Sequence, residues 1–320
     1  MVSYMNYFFM LMYGSSFFIF MSCNDWFVMW LSLEINMFSF LLIMHNKNNN
    51  SIESSIKYFF IQSLGSSLLM LSFYSQSLYE DMMNILIVSY KMGAGPFFFW
   101  FPSVCDEISW WACFVLMSFQ KLIPLVLISM YTSLVVWLVI SSSMVIGLLG
   151  IINQVSIKRL LAFSSIHHIG WMLMCLYIYD YFWVSYLVMY SFLIFSVVVI
   201  LSKNEMTTFN LLGKVNEKNL LVFGLLSMGG MPPMLGFFLK WWVFYYLNVM
   251  NFFFIIFLII MSIAMLYFYM RMVFFIMFGE SMKNSWIFYN EEKMHIFSSE
   301  MFFFCGTFVG PLLGLILLMY

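Results

Sequence analysis

Residues 225–242 read LLSMGGMPPMLGFFLKWW, an apolar run broken by Gly229-Gly230 and Pro232-Pro233 and carrying one charge, Lys240. Two glycines and two prolines interrupt any helix drawn through it, because proline lacks the N–H and clashes with the preceding turn. Yet the flanks are too apolar for an exposed loop. Backbone groups freed by such a break cannot face lipid, so they lie within protein or line a wet cavity. A second stretch repeats the pattern: residues 91–102 read KMGAGPFFFWFP, with Lys91 immediately before the break.

Composition decides the solvent. Of 320 residues, 64% are hydrophobic and 8% charged, against about 25% charged in soluble domains. No water-soluble core hides that excess, so the chain is an all-α polytopic membrane protein in a lipid bilayer. A net charge of -1 argues against a nucleic-acid partner, which needs a basic surface. Cys23, Cys105, Cys113, Cys175 and Cys305 form no C-x-x-C pair. They suit neither an iron–sulfur nor a zinc site and read as buried small hydrophobes. Met (32) and Phe (40) are abundant, while alanine occurs only at Ala94, Ala112, Ala162 and Ala264. Packing does not favour this, since small residues mediate helix contacts in membranes. It reads as the bias of an AT-rich organellar genome in which ATA encodes Met. The start, MVSYMNYFFM, has no Arg-rich transit segment.

A helix crossing the hydrocarbon core needs about 20 mostly apolar residues. Such runs fall near Tyr4–Ser22, Asp25–Met44, Ile56–Ser77, Met82–Pro102, Trp110–Met130 and Ser133–Gly150. Others fall near Ile157–Ile178, Phe182–Ser202, Leu220–Leu247, Phe252–Phe278 and Met301–Tyr320, about 11 in all. Loops after even-numbered helices hold nine of the 13 Lys and Arg residues: Lys47, Lys57, Lys158, Arg159, Lys203, Lys214, Lys218, Lys283 and Lys293. Loops after odd-numbered helices hold only acids, Asp25, Glu80, Asp81 and Asp180. The positive-inside rule then sets the even loops and the N-terminus on the side of synthesis, the matrix in a mitochondrion. The C-terminus falls toward the intermembrane space. The two broken helices are the fourth and ninth; five apart, they run in opposite directions, as an inverted five-plus-five repeat requires. The expected organisation is one membrane domain over 1–320, with halves near 1–131 and 132–279 and a final helix at 300–320.

Lys91, Lys121, Lys240 and Arg271 fall inside these helices, as does Glu34. A charge at a helix centre costs about 2.5–3.5 kcal/mol on insertion scales, so these side chains are expected to face protein or water. Glu34 lies in WLSLEINMFSF (30–40), and Lys121 lies mid-helix in SFQKLIP (118–124) with Pro124 three residues on. One acid and three lysines at similar depth suit a chain of proton-exchanging groups. A passive ion pair between Glu34 and one lysine is the competing reading. His167 and His168, in SSIHHIGWM (164–172), point about 100° apart on a helix and cannot share one metal. Either one of them lines the polar interior as a relay or both are hydrogen-bonded structural residues. Arg271 is expected to snorkel to the headgroups, and Trp110, Trp111, Trp241 and Trp242 suit interfacial anchors. No phosphate loop, dinucleotide fingerprint or catalytic triad occurs.

Six ordered stretches carry a resemblance: WLSLEINMFSF, KYFFIQSLGSSLL (57–69), KMGAGPFFFWFP, SFQKLIPLVLIS (118–129), NQVSIKRLLAFSSIHHIGWM (153–172) and LLSMGGMPPMLGFFLKWW. In this order, and with LYFYMR (266–271), they resemble the NADH-ubiquinone oxidoreductase chain 2 family, mitochondrially encoded antiporter-like membrane subunits of respiratory complex I. The resemblance spans about Trp30 to Arg271. It implies eleven helices, matching the count above. It also implies a proton-translocating role for the buried glutamate, Glu34, its partner Lys91, the axial Lys121, Lys240 on the second broken helix, and His168 rather than His167. NADH, FMN, iron–sulfur clusters and ubiquinone are implied in partner subunits, with no cofactor on this chain. Expected partners are the other complex I subunits, including neighbouring antiporter-like ones. Two positions depart from the family: Phe98 stands where His is frequent, and Ser103 where Glu is frequent.

On this reading the chain is part of an H+-translocating NADH:ubiquinone reductase of the mitochondrial inner membrane. Two rival readings are a free-standing cation/proton antiporter and a non-catalytic structural subunit of the membrane arm.

Overall fold

The computed structural model describes residues 2–45, 49–75, 80–131, 133–152, 154–178, 182–203, 208, 217–247 and 252–278. The eleventh apolar run, Met301–Tyr320, lies outside these. The described residues are helical, with one isolated β-bridge between Ser156 and Thr208. By contact the chain divides into unit 1 (Met1–Gly147 and Lys158–Leu173) and unit 2 (Leu148–Ile157 and Met174–Tyr320).

Unit 1 begins with α1 (Val2–Ser22), α2 (Trp26–Met44) and α3 (Asn49–Ser75). α3 shows why the solvent is lipid. Its buried positions include Ser51, Ser54, Ser55, Gln62 and Ser66, whereas Ile56, Phe60, Leu64 and Leu68 are exposed. That is helical amphipathicity turned inside out: the apolar stripe faces outward and the polar and small residues pack inside. α3 also starts seven residues before the predicted run, because these serines are buried against neighbours rather than left in a loop.

The fourth predicted helix is broken as expected. α4 (Glu80–Met92) ends at Gly93, whose φ of 67° is a left-handed conformation open to glycine, and the chain resumes as α5 (Trp100–Glu107). α4 alone rises about 20 Å, short of a hydrocarbon core of about 30 Å, so both pieces are needed to cross it.

The fifth predicted helix is a correction. It is not continuous: α6 (Trp110–Met117) gives way to a 3-10 turn at Phe119–Lys121 before α7 (Leu122–Ser129). Pro124 supplies the reason. It cannot donate to the carbonyl of Gln120, and its ring is tolerated only in a first helical turn, where α7 holds it. α8 (Val135–Ile151) and α9 (Ile157–Ile178) follow; their segments up to Gly147 and over Lys158–Leu173 belong to unit 1.

Unit 2 holds α10 (Phe182–Lys203), α11 (Lys218–Gly229), α12 (Leu235–Tyr246) and α13 (Phe252–Phe278). The break between α11 and α12 falls at the glycine–proline stretch. Gly230 sits at φ 83° and caps α11, its N–H bonding the carbonyls of Leu226 and Ser227 at 3.1 Å each. Among the described residues six helical stretches, among them α2, α3, α9 and the α6–α7 stretch Trp110–Ser129 taken as one, are long and apolar enough to cross a bilayer. Phe253 is 86% exposed, a placement suited to lipid contact.

Candidate functional site

Four of the five intramembrane charges sit on or beside a helix break or a buried polar seam. Lys91 is the next-to-last residue of α4 and only 6% exposed. Its backbone carbonyl, left over at the helix end, accepts from the Gln62 amide at 2.9 Å, and the Trp100 indole donates to the neighbouring Tyr90 carbonyl at 3.1 Å. The aliphatic stem of Lys91 lies where any side chain on Gly65 would be, with Cγ 2.7 Å from a built Cβ. Among the described residues no protein acceptor lies within hydrogen-bond distance of the Lys91 ammonium.

Lys121 ends the 3-10 turn and is 1% exposed. Its ammonium donates to the Ser165 carbonyl on α9 at 3.0 Å and stands 5.9 Å from the centre of the Phe101 ring. Lys91 and Lys121 open onto one cavity of about 30 Å³, whose wall also includes Tyr58, Gln62, Trp100, Gln120 and Pro124. By the usual volume requirement it has room for about two waters. Water is the natural neighbour there, since a buried ammonium without protein acceptors is otherwise very costly.

Glu34 lies half-buried on α2, between the buried Leu33 and a partly exposed Ile35. Leu33 and Met37, on either side of it in sequence, line the cavity. Glu34 and Lys91 are not in direct ion-pair contact, but Glu34 is the carboxylate whose field reaches Lys91. Unit 1 thus brings together Glu34, Lys91 and Lys121.

His167 is tied on both sides: Nδ1 faces the Met144 carbonyl at 3.3 Å, and the Trp171 indole donates to Nε2 at 3.1 Å. With Nε2 accepting, Nδ1 carries the proton, the neutral tautomer of a structural histidine. His168 is buried as well, its ring 6.0 Å from that of His167 and turned by 80°.

In unit 2, Lys240 on α12 is 5% exposed and donates to the Gly229 carbonyl at 2.9 Å, bridging the break back to the end of α11. Arg271 is exposed and reaches the Ile152 carbonyl at 3.5 Å, a weak contact in keeping with a headgroup-facing guanidinium.

Three of the cations assigned to loops, Lys57, Lys158 and Arg159, gather at one end of unit 1. Lys57 pairs with Glu53 at 2.7 Å and Glu107 at 3.3 Å, and Arg159 pairs with Asp106 at 2.9 Å. Lys158 donates to the Ile108 carbonyl and lies 5.2 Å over the ring of Trp110, which is therefore engaged by protein as well as placed near an interface.

The family profile described as "NADH:quinone oxidoreductase/Mrp antiporter, TM" matches residues 23–85 and 76–266. NADH-ubiquinone oxidoreductase chain 2 of Anopheles gambiae is 39% identical over 304 residues, 88% of this chain and 89% of that protein. The chain belongs to the NADH-ubiquinone oxidoreductase chain 2 family. The chain 2 protein of Aedes aegypti is 36% identical, covering 89% of each chain. Among solved structures, "Respiratory complex I from Thermus thermophilus with bound Aureothin" contains a chain that superposes with a TM-score of 0.78 at 20% identity. The match covers 97% of the present chain and 77% of that one. "Structure of Mrp complex from Dietzia sp. DQ12-45-1b" gives 0.68 at 15% identity over 78% and 56%. At these identities the likeness is one of fold.

Two positions of this chain 2 family member that depart from the expected pattern have simple surroundings. Phe98 packs 6.1 Å from the ring of Phe163, and the Ser103 hydroxyl donates to the Trp100 carbonyl within α5 at 2.7 Å. Sequence reasoning did not single out Gln62, Tyr58 and Gln120 as cavity residues. A signal existed for the first two: Tyr58 and Gln62 stand four apart, and so on one face, in an otherwise apolar stretch.

Proposed function

We propose that this chain is a proton-translocating membrane subunit of respiratory complex I in the mitochondrial inner membrane. NADH oxidation and quinone reduction, with the FMN, iron–sulfur and ubiquinone chemistry they need, belong to partner subunits. The energy released there moves protons through Glu34, Lys91, Lys121, Lys240 and His168. Eleven crossings make up one antiporter-like domain, as an inverted repeat of five plus five helices (1–131 and 132–279) and a final helix at 300–320. The N-terminus lies in the matrix and the C-terminus toward the intermembrane space, as the separation of cations from acids along the loops supports.

One observation carries this reading: two buried ammonium groups, Lys91 and Lys121, share a water-sized cavity between α4 and the 3-10 turn. The cavity water that solvates these ammonium groups also supplies what a proton carrier needs, a bridge between donor and acceptor. The Glu34 charge favours a proton on Lys91. When that influence is withdrawn, the proton passes through cavity water to Lys121. Lys121 rests on a backbone carbonyl, an acceptor that can hold an ammonium but cannot take its proton away. His168 is the relay in this reading, since both ring nitrogens of His167 are already engaged by Met144 and Trp171.

The test is Lys91→Met in the assembled complex. NADH oxidation with a soluble electron acceptor should persist while quinone-coupled turnover and proton release fall. Full proton release at wild-type turnover would leave the structural-subunit reading standing. Recovery of an active chain outside any large assembly would favour a free-standing antiporter.

A further inference from the structure

Among the described residues that wall the cavity shared by Lys91 and Lys121, Gln120 carries a buried polar atom with no hydrogen-bond partner, its side-chain Nε2. Gln120 is partly exposed as a residue, yet its amide nitrogen is shut off from the surface. It belongs to the 3-10 turn Phe119–Lys121 and directly precedes Lys121. Pro124, which disturbs the helix at that turn, lines the same cavity. The other amide in the wall, Gln62, is already committed: its Nε2 donates to the Lys91 carbonyl at 2.9 Å.

Buried polar atoms in native proteins are satisfied by protein or by ordered water, and this cavity has the volume for water. The two lysines and the Gln120 amide are the polar partners that hold it. A water has two lone pairs and two hydrogens. When the Lys91 ammonium and the Gln120 N–H fill the lone pairs, both hydrogens point away from them, and one is free to face Lys121. Without the amide, the water turns about its bond to Lys91 and its hydrogens have no fixed direction. A carboxamide suits this place because it is a neutral donor and acceptor that does not ionise. It directs a proton without trapping it, whereas a carboxylate there would compete for it.

We propose that Gln120 is a positioning residue for the proton step between Lys91 and Lys121, its N–H holding the cavity water with a hydrogen directed toward Lys121. The inference rests on the proton-translocating reading above. An N–H bond of the Lys91 ammonium breaks as an O–H bond forms on the held water. Another O–H bond of that water, directly or through the second water the cavity admits, breaks as an N–H bond forms on the neutral Lys121 amine. Lys91 is left neutral, Lys121 is left charged, and Gln120 is unchanged.

The experiment uses the intact complex carrying Gln120→Met, which keeps the side-chain length and removes the amide. Quinone-coupled turnover per assembled complex should fall about fivefold, the rate equivalent of one neutral hydrogen bond. NADH oxidation by a soluble acceptor should stay at its wild-type rate. The ratio of coupled turnover in H2O to that in D2O should rise, because proton transfer then limits the rate; a lost packing contact would leave that ratio as it was. In a density map of the wild-type complex, a water should lie in the cavity within hydrogen-bond distance of the Gln120 amide; this arm stands even if the variant fails to assemble. An absent water, wild-type turnover in Gln120→Met, or slower turnover with an unchanged isotope ratio overturns the proposal. Loss of pumping in Lys121→Met beside intact pumping in Gln120→Met rejects the role of Gln120 alone. Intact pumping in Lys121→Met rejects the reading beneath it.

Discussion

Gln62 on α3 donates its side-chain amide to the backbone carbonyl of Lys91 at 2.9 Å, so α3 holds the end of α4 at the point where that helix stops. The acceptor is one of the carbonyls a broken helix leaves over. The same Gln62 lines the cavity onto which Lys91 opens, so one side chain supports both the backbone and the polar surface of the site.

Gln62→Leu keeps much of the bulk and removes the donor. Leaving a buried acceptor unpaired costs about 1–3 kcal/mol. Thermal inactivation of the purified complex should shift to lower temperature, and coupled turnover should fall with it. Gln62→Asn, too short to reach, should behave alike; an unchanged midpoint in both would show that the bond contributes little.

Glu34 and Lys91 interact without direct contact, so the prediction concerns coupling. Glu34→Gln and Lys91→Met should each reduce pumping. The double variant should lose little more than the worse single one, because members of one network do not act independently. Fully additive losses, measured as logarithms of the rates, would separate the two residues.

Gly236 separates packing from chemistry in unit 2. A Cβ there would run into the Ser227 carbonyl oxygen of α11, whereas one at Gly14 on α1 meets nothing within 4 Å. Gly236→Ala should therefore abolish or sharply reduce assembly, and Gly14→Ala should leave the amount of assembled complex unchanged. Equal yields on native gels would contradict the close approach of α11 and α12.

The membrane class, the approximate helical stretches among the described residues and the two breaks were legible because lipid selects whole apolar runs and because Gly93 and Gly230 carry the positive φ that the breaks require. Lys91, Lys121 and Lys240 stood out as lone charges in those runs. The discontinuity at Phe119–Lys121 was less visible: Pro124 marks a disturbed helix, but no residue says that the chain tightens into a 3-10 turn. Lys121 and Lys240 donate to the backbone carbonyls of Ser165 and Gly229. Every residue has such a carbonyl, so no sequence pattern could name them. The resemblance points to His168 rather than His167, but the contacts of His167 with Trp171 and Met144 are not written in the sequence.

Sidedness can be read by labelling. On intact inner membranes, a membrane-impermeant carboxyl reagent added from the intermembrane side should reach the exposed Asp81. An impermeant amine reagent from the same side should leave Lys57 unmodified. The reverse pattern would overturn the proposed orientation.

The central claim is that Lys121 carries a proton, and the most direct measurement is the number of protons moved per electron in a fully assembled Lys121→Met complex. Methionine keeps the length and apolar bulk and deletes the charge, along with an insertion cost of about 2.5–3.5 kcal/mol. A structural lysine replaced this way would leave the complex as stable or more so, with both stoichiometry and turnover unchanged. The account predicts similar stability with slowed NADH-to-quinone turnover and fewer protons per electron. Wild-type turnover and stoichiometry in that complex would contradict it.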